Sequence, residues 1–183
     1  MKIAVVCAMN QNRSMEAHKV LLEAGYNVDS YGTNKNIKIP GESIDKPNVY
    51  PFGVTYLEIY EDLKNNNENF YERLGMLKML KRNMKIKEKA LNYFTNNNKI
   101  YDLVITAEEK CFSAIFNEVN YKFLINFDIK DNLADASLGA QEILKFVKNV
   151  AEIKGQIEEK VKGALEKYTE ITGKMLIFTC KCV

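Results

Sequence analysis

Cys7 and Arg13 are separated by five residues in VVCAMNQNRS (residues 5 to 14), with Ser14 directly behind the arginine. A thiol and a guanidinium at this spacing, joined by Ala8, Met9, Asn10, Gln11 and Asn12, can divide the work of attacking a phosphate ester. Such an ester carries close to two negative charges and three outer oxygens, so a site must hold the oxygens while a nucleophile approaches from behind. A tight loop opening a helix does the holding: its N–H groups form an anion nest, and the helix dipole adds roughly half a positive charge. Arginine suits the rim because its planar fork bonds two phosphate oxygens together. Only Arg13, Arg73 and Arg82 are arginines among the 26 basic residues, so the choice at position 13 is informative. The same positive surroundings favour the thiolate, the nucleophilic form. Ser14 can cap the helix and donate a hydrogen bond to the sulfur, helping it leave in a second step. Asn10 suits a left-handed position in the loop.

These residues need a strand to deliver the cysteine and a helix to receive the arginine. Lys2 to Cys7 reads as a buried strand, Ser14 to Glu23 as a helix closed by Gly25, and Asn27 to Tyr31 as a second strand ended by Gly32. That is a parallel βαβ unit. Tyr101 to Thr106, a helix from about Glu108 to Glu118, and Lys122 to Phe127 repeat the pattern, which implies a mostly parallel sheet with helices on both faces, an α/β/α sandwich. Residues 35 to 94 hold all three prolines and two or three amphipathic helices, as expected of an insertion covering one end of the sheet. Apolar residues at Ile143, Leu144, Val147, Val150, Ile157, Val161, Leu165 and Tyr168 predict long helical stretches over 138 to 172, weakened by Gly155 and Gly163; packing back on the sheet is the favoured arrangement, with a coiled-coil partner as the alternative. Met175 to Cys180 can add a last strand. The cysteine at the end of the first strand has a plain structural alternative, a buried thiol beside a surface arginine. Its place in the first strand-to-helix turn argues for the anion site, because open α/β sheets bind ligands at the carboxyl ends of their strands.

At 183 residues the chain suits one domain. Its net charge of +2 and its lack of long basic runs do not indicate direct nucleic-acid binding. No apolar run approaches the 18 or so residues of a membrane span, and Ile3 to Val6 is too short for a signal-peptide core. The four cysteines are therefore expected to be thiols in a reducing compartment. A single histidine, His18, gives no basis for a metal site, and its plain reading is structural. No cofactor is indicated.

VVCAMNQNRSMEAH resembles the signature of the eukaryotic phosphatases that act on the C-terminal domain of RNA polymerase II within the cleavage and polyadenylation machinery, relatives of the low-molecular-weight protein tyrosine phosphatases. The likeness continues through SYGTN, IPG, DKPNVY, YERLGMLKMLKRN, YDLVITAEE and FDIKDN, nearly the whole chain. The resemblance implies a low-molecular-weight phosphatase-like fold and removal of phosphate from serine before a cis proline in the polymerase heptads, through a phosphocysteine. It also implies a symplekin-like scaffold partner and a nuclear location. By match, Cys7 is the nucleophile, Arg13 the phosphate clamp, Asp131 the general acid and Asp128 its supporting neighbour. Ile39, Pro40, Tyr71 and Met79 fall where the family lines the groove for the proline, with Ile39 in place of a more usual leucine, a volume-conserving change. Residue chemistry alone calls for a carboxylic acid on a loop after a strand, since a serine alkoxide is a poor leaving group, but leaves Asp128, Asp131 and Asp135 open. Two alternatives remain: a non-catalytic structural subunit of the RNA 3′-end processing complex, and a tyrosine phosphatase with a deep aromatic pocket. Arsenate reduction is disfavoured because the loop has no second cysteine.

Overall fold

The computed structural model describes residues 1–41, 43, 45–96 and 99–181. Strands β1 (Lys2–Cys7), β2 (Asn27–Gly32), β5 (Tyr101–Thr106) and β6 (Tyr121–Asn126) pair in parallel, and β7 (Ile177–Cys180) closes the edge antiparallel to β6. The sheet order is β2-β1-β5-β6-β7, so the chain leaves β1 to one side and returns on the other at β5. The crevice above β1 and β5 is the topological switch point where sheets of this kind bind ligands.

Strand parity assigns the two faces. Ile3, Val5 and Cys7 point one way and pack with Leu103, Ile105, Phe123 and Ile125 against α1 (Arg13–Glu23), α6 (Leu133–Glu152) and α7 (Ile157–Thr172). Ala4, Val6, Val104 and Leu124 point the other way and meet Phe112 and Ile115 of α5 (Glu109–Ile115) and Tyr93 of the single-turn α4 (Tyr93–Asn96). This is the three-layer α/β/α arrangement expected from the sequence. The C-terminal helical stretch begins at Leu133 rather than Leu138 and divides at residues 153 to 156. Gly155 there has φ +116, a conformation other residues rarely adopt. Gly163 does not break α7; it lets the helix approach Ile153, whose Cδ1 would lie 3.1 Å from a Cβ.

The segment between β2 and β5 folds around an apolar cluster of its own, with Ile37, Ile39, Tyr56, Ile59, Leu63, Tyr71, Leu77 and Leu80 buried together. Its helices are α2 (Tyr56–Arg73) and α3 (Met76–Met84), but it also contains an antiparallel hairpin, β3 (Asn36–Ile39) with β4 (Asn48–Pro51), which helical periodicity does not reveal. The prolines fit that hairpin: Pro40 follows β3, Pro47 precedes β4 and Pro51 ends it, positions where a missing N–H does no damage. Thr55 and Glu58 form a capping box that starts α2. Asn67, with φ −163 and ψ 85, kinks the helix, and its Oδ1 accepts the N–H of Phe70 at 3.1 Å, restarting the turn that carries Phe70.

Gly32 fixes how closely this frame meets the Cys7 loop. A Cβ there would lie 2.7 Å from the Phe52 ring, 2.9 Å from the carbonyl oxygen of Ala8 and 3.0 Å from the nitrogen of Asn10. Two of those atoms are backbone and cannot rotate away. Gly32→Ala is therefore expected to lose about 1–3 kcal/mol of stability, the usual cost of overpacking, and to displace the loop. Urea unfolding together with inhibition by inorganic phosphate would register both effects.

Candidate active site

Parity places the Cys7 side chain, 3% exposed, on the α1 side of the sheet, at the foot of the loop that runs into α1. The helix begins at Arg13, one residue earlier than expected, and Asn12 occupies the capping position without a side-chain bond to the N–H groups of the helix. The expected capping role of Ser14 is accordingly corrected: Ser14 lies inside the first turn, where its Oγ is 3.1 Å from Cys7 Sγ. Asn10 Nδ2 donates to the same Oγ at 3.0 Å, so the serine proton is left to donate to sulfur. Asn10 is fully buried and has φ 53, the left-handed position expected of it.

The carbonyls of Ala8, Asn10, Gln11 and Asn12 are all engaged from outside the loop. That of Ala8 accepts from the N–H groups of Thr33 and Asn34, that of Asn10 from the Tyr56 hydroxyl at 2.6 Å, and that of Asn12 from the N–H of Glu16. Arg82 Nη2 and Asn83 Nδ2 both donate to the carbonyl of Gln11, at 2.7 and 2.8 Å. The peptides of this loop are trans, and in a trans peptide the C=O of one residue and the N–H of the next point in opposite directions. With these carbonyls held outward, the N–H groups of Met9, Gln11, Asn12 and Arg13 are turned inward as a nest for an anion. Arg82 is further tied to Glu16 Oε2 at 2.6 Å, whereas the exposed Arg73 bonds, among the described residues, the carbonyl of Asn69 on its own helix. A hydrogen bond to a charged group contributes about 1.5–3 kcal/mol, so Arg82→Met is expected to lower kcat/KM about ten- to hundredfold, with Arg73→Gln unchanged in the same peptide assay.

Arg13 is 5% exposed and held from below and from the side. Its Nη1 donates to the carbonyls of Ile129 at 3.0 Å and Ala107 at 3.4 Å, and its Nη2 to Glu108 Oε1 at 2.8 Å and Asp131 Oδ2 at 3.3 Å. Burial works against the charge, but Cys7, Asp131 and Glu108 outweigh it and hold the guanidinium pKa above its ordinary value. Arg13 Nε and Gln11 Nε2 are buried donors without a partner among the described residues. An unsatisfied buried donor costs about 1–3 kcal/mol, which an oxyanion at this point would relieve.

Asp131 follows β6, and its Oδ1 accepts from Asn12 Nδ2 at 3.0 Å, so this carboxyl stands across the mouth of the loop. Of the three open carboxylates, Asp131 is the one bonded to both Asn12 and Arg13. Asp135 accepts from Asn132 Nδ2 at the start of α6. Asp128 does not support the site as expected: it is exposed and lies outside the pocket, and Glu108 at the end of β5 is the second carboxylate on Arg13.

Above Cys7 opens a groove of about 1020 Å³, whose apolar walls include Ile39, Pro40, Phe70, Met76, Met79 and Leu133. Ile39, Pro40 and Met79, three of the four residues that the resemblance assigns to a proline groove, line this one. Tyr71 does not line the groove; it is 2% exposed and stands behind, its hydroxyl accepting from Asn48 Nδ2 at 2.8 Å, while the same amide group reaches the carbonyl of Pro40 at 3.3 Å.

The remaining cysteines lie elsewhere. Burial pushes the Cys111 thiol well up, and it bonds Thr33 Oγ1 and Glu108. Cys180 is exposed on β7, and Cys182 lies outside the described residues. His18, one turn beyond the loop, bonds Ser30 Oγ at 2.8 Å, and burial with Lys87 nearby pulls it down to about 4, so it is neutral near pH 7.

The chain is 46% identical over 167 residues to ssu72, an RNA polymerase II C-terminal domain phosphatase of Schizosaccharomyces pombe, covering 87% of this chain and 84% of that protein. It is 36% identical over 190 residues to the SSU72 phosphatase of Gallus gallus, covering 98% and 95%. Among solved structures, D. melanogaster Ssu72 with Symplekin, bound to a cis peptidomimetic of a CTD phosphoserine peptide, superimposes with a TM-score of 0.90 at 32% identity, over 98% of this chain and 96% of that one. With residues 1–183 matching the family model for Ssu72-like proteins, the chain belongs to the Ssu72 family.

Proposed function

We propose that this protein removes phosphate from serine preceding proline in the C-terminal heptads of RNA polymerase II, through a phosphocysteine intermediate. The observation that carries the proposal is the buried Cys7 sulfur at the foot of a loop whose carbonyls are pinned outward, with two buried donors of that loop, Arg13 Nε and Gln11 Nε2, left without a partner among the described residues. Phosphate oxygens bind the inward N–H groups and the arginine. The Cys7 thiolate attacks phosphorus, forming the S–P bond as the P–O bond to serine breaks, and Asp131 gives its proton to the departing oxygen. In the second step the Asp131 carboxylate takes a proton from water as that water attacks phosphorus, and sulfur leaves as thiolate with Ser14 donating to it.

The groove supports a peptide substrate rather than a lone aromatic ring. Ile39, Pro40, Met76 and Met79 all line it, an apolar trough suited to the proline ring. The peptide held by the D. melanogaster relative is a cis mimic, and we assign the cis isomer to this groove as well. By the same kinship a symplekin-like scaffold is the expected partner and the nucleus the expected location.

The test is phosphate release in EDTA from a heptad peptide phosphorylated on the proline-preceding serine, beside a matched phosphotyrosine peptide. Faster turnover of the phosphoserine peptide supports the reading. Preference for phosphotyrosine makes the protein a tyrosine phosphatase, and turnover of neither moves the structural-subunit role to first place.

A further inference from the structure

Lys87 lies between α3 and α4, far from the loop in sequence, yet its ammonium group turns inward beneath it. Lys87 Nζ donates to Asn10 Oδ1 at 2.7 Å and to the carbonyl of Ser30 at 2.6 Å, and it lies over the Tyr31 ring, 5.8 Å from the centroid. The N–H of Leu91 donates to the same Asn10 oxygen at 3.1 Å. With two donors on its oxygen, the Asn10 carboxamide has one orientation, and its Nδ2 must face Ser14 Oγ. Ser14 Oγ, already accepting, is left to donate to Cys7 Sγ at 3.1 Å. The chain from ammonium to amide to hydroxyl to sulfur runs in one direction, each donor polarising the next.

We propose that Lys87 is a positioning residue for the phosphatase reaction, orienting the Asn10 amide so that Ser14 donates to the Cys7 sulfur both as attacking thiolate and as leaving group. The proposal rests on Cys7 being the nucleophile, and it assigns Lys87 no contact with substrate. The groups around the ammonium are Asp29 and Tyr31 on β2, His18 on α1 and Cys7 on β1. Burial, offset only in part by Asp29 and Cys7, brings the Lys87 pKa down to about 7, so near neutral pH the group is divided between ammonium and amine, and either form has the N–H groups to donate to Asn10 Oδ1 and the Ser30 carbonyl.

The experiment compares wild type, Lys87→Met and Lys87→Gln with the heptad phosphopeptide and, independently of turnover, measures alkylation of Cys7 by iodoacetate at pH 6.5, located by peptide mass. Methionine keeps the length of the side chain and removes donor and charge; glutamine keeps a donor. In a folded Lys87→Met variant, kcat is expected to fall about tenfold with KM within about twofold, and alkylation of Cys7 to slow about tenfold. Lys87→Gln recovers part of both. A merely structural lysine would change thermal stability but leave the alkylation rate of the folded protein and the split between kcat and KM alone. Unchanged alkylation and kcat in folded Lys87→Met overturn the proposal. Should that variant fail to fold, Ser14→Ala removes the last donor of the chain, and wild-type alkylation and kcat in it overturn the proposal equally. Loss of peptide turnover in wild type would instead strike the assignment of substrate, while the alkylation arm still decides the role of Lys87.

Discussion

Cys7→Ser is expected to abolish turnover of the phosphoserine peptide, by on the order of 10⁵ to 10⁶, while leaving the fold and phosphopeptide binding in place. The loss follows from chemistry at one atom. A thiol yields a usable fraction of thiolate near neutrality, and a serine hydroxyl does not. No neighbour can substitute: Ser14 is bonded to the sulfur and points its donor at it, and His18 is engaged with Ser30. The phosphate cradle does not depend on sulfur, since the carbonyls of Asn10 and Gln11 are held by Tyr56, Arg82 and Asn83. The variant should therefore bind the phosphopeptide with an affinity within a few-fold of wild type, measured by calorimetry. Residual turnover above about one part in a thousand would mean that another nucleophile acts.

Asp131→Asn is expected to lower kcat for the phosphoserine peptide by about 10² to 10⁴. Serine leaves as an alkoxide unless protonated, and the Asp131 carboxyl is the acid standing at the loop mouth, bonded to Asn12 and Arg13. An asparagine keeps the shape and can transfer no proton. The diagnostic is the leaving group: with p-nitrophenyl phosphate, whose phenolate departs without help, the same variant should lose much less in the step that forms phosphocysteine. That contrast, read as burst amplitude and rate, separates loss of a proton donor from a disturbed Arg13, because a displaced guanidinium would slow both substrates alike. Asp128→Asn, at an exposed position outside the groove, should change neither.

Elements made by local pattern were legible in the sequence. The apolar run of Lys2 to Cys7, the helix that follows and the strands at Tyr101 and Tyr121 each announce themselves within a dozen residues, and the strand-helix alternation dictates the sheet. The Cys7 loop is likewise local, so its members could be named in advance. The hairpin of β3 and β4 was not, because four-residue strands flanked by prolines carry too short an alternation to stand out. Nor were the supports of the loop. Lys87, Arg82, Asn83, Tyr56 and Glu108 reach the site through bonds spanning 46 to 95 residues of chain, and nothing in their neighbourhoods distinguishes them from surface residues of the same type. Arg82 had one weak signal, its rarity in a lysine-rich chain. The choice of Asp131 over Asp128 was invisible to residue chemistry because both follow the same strand. Only the turn after β6, which carries Ile129 beneath Arg13 and Asp131 beside it, separates them.

Helix α3 presents Met76 and Met79 to the groove and, further along, Arg82 and Asn83 to the carbonyl of Gln11. Nine residues of helix form a rod of about 13 Å, too short to bend between its two tasks. A mutation that tilts this rod to admit a different peptide must also drag the loop that grips phosphate. Selection is therefore free to retune peptide preference through the β3–β4 hairpin and the kinked end of α2, and is constrained at α3. A directed-evolution library that spares α3 and varies residues 38 to 40, 70 and 74 should yield altered specificity with catalysis intact, whereas one that varies residues 76 to 83 should trade one against the other.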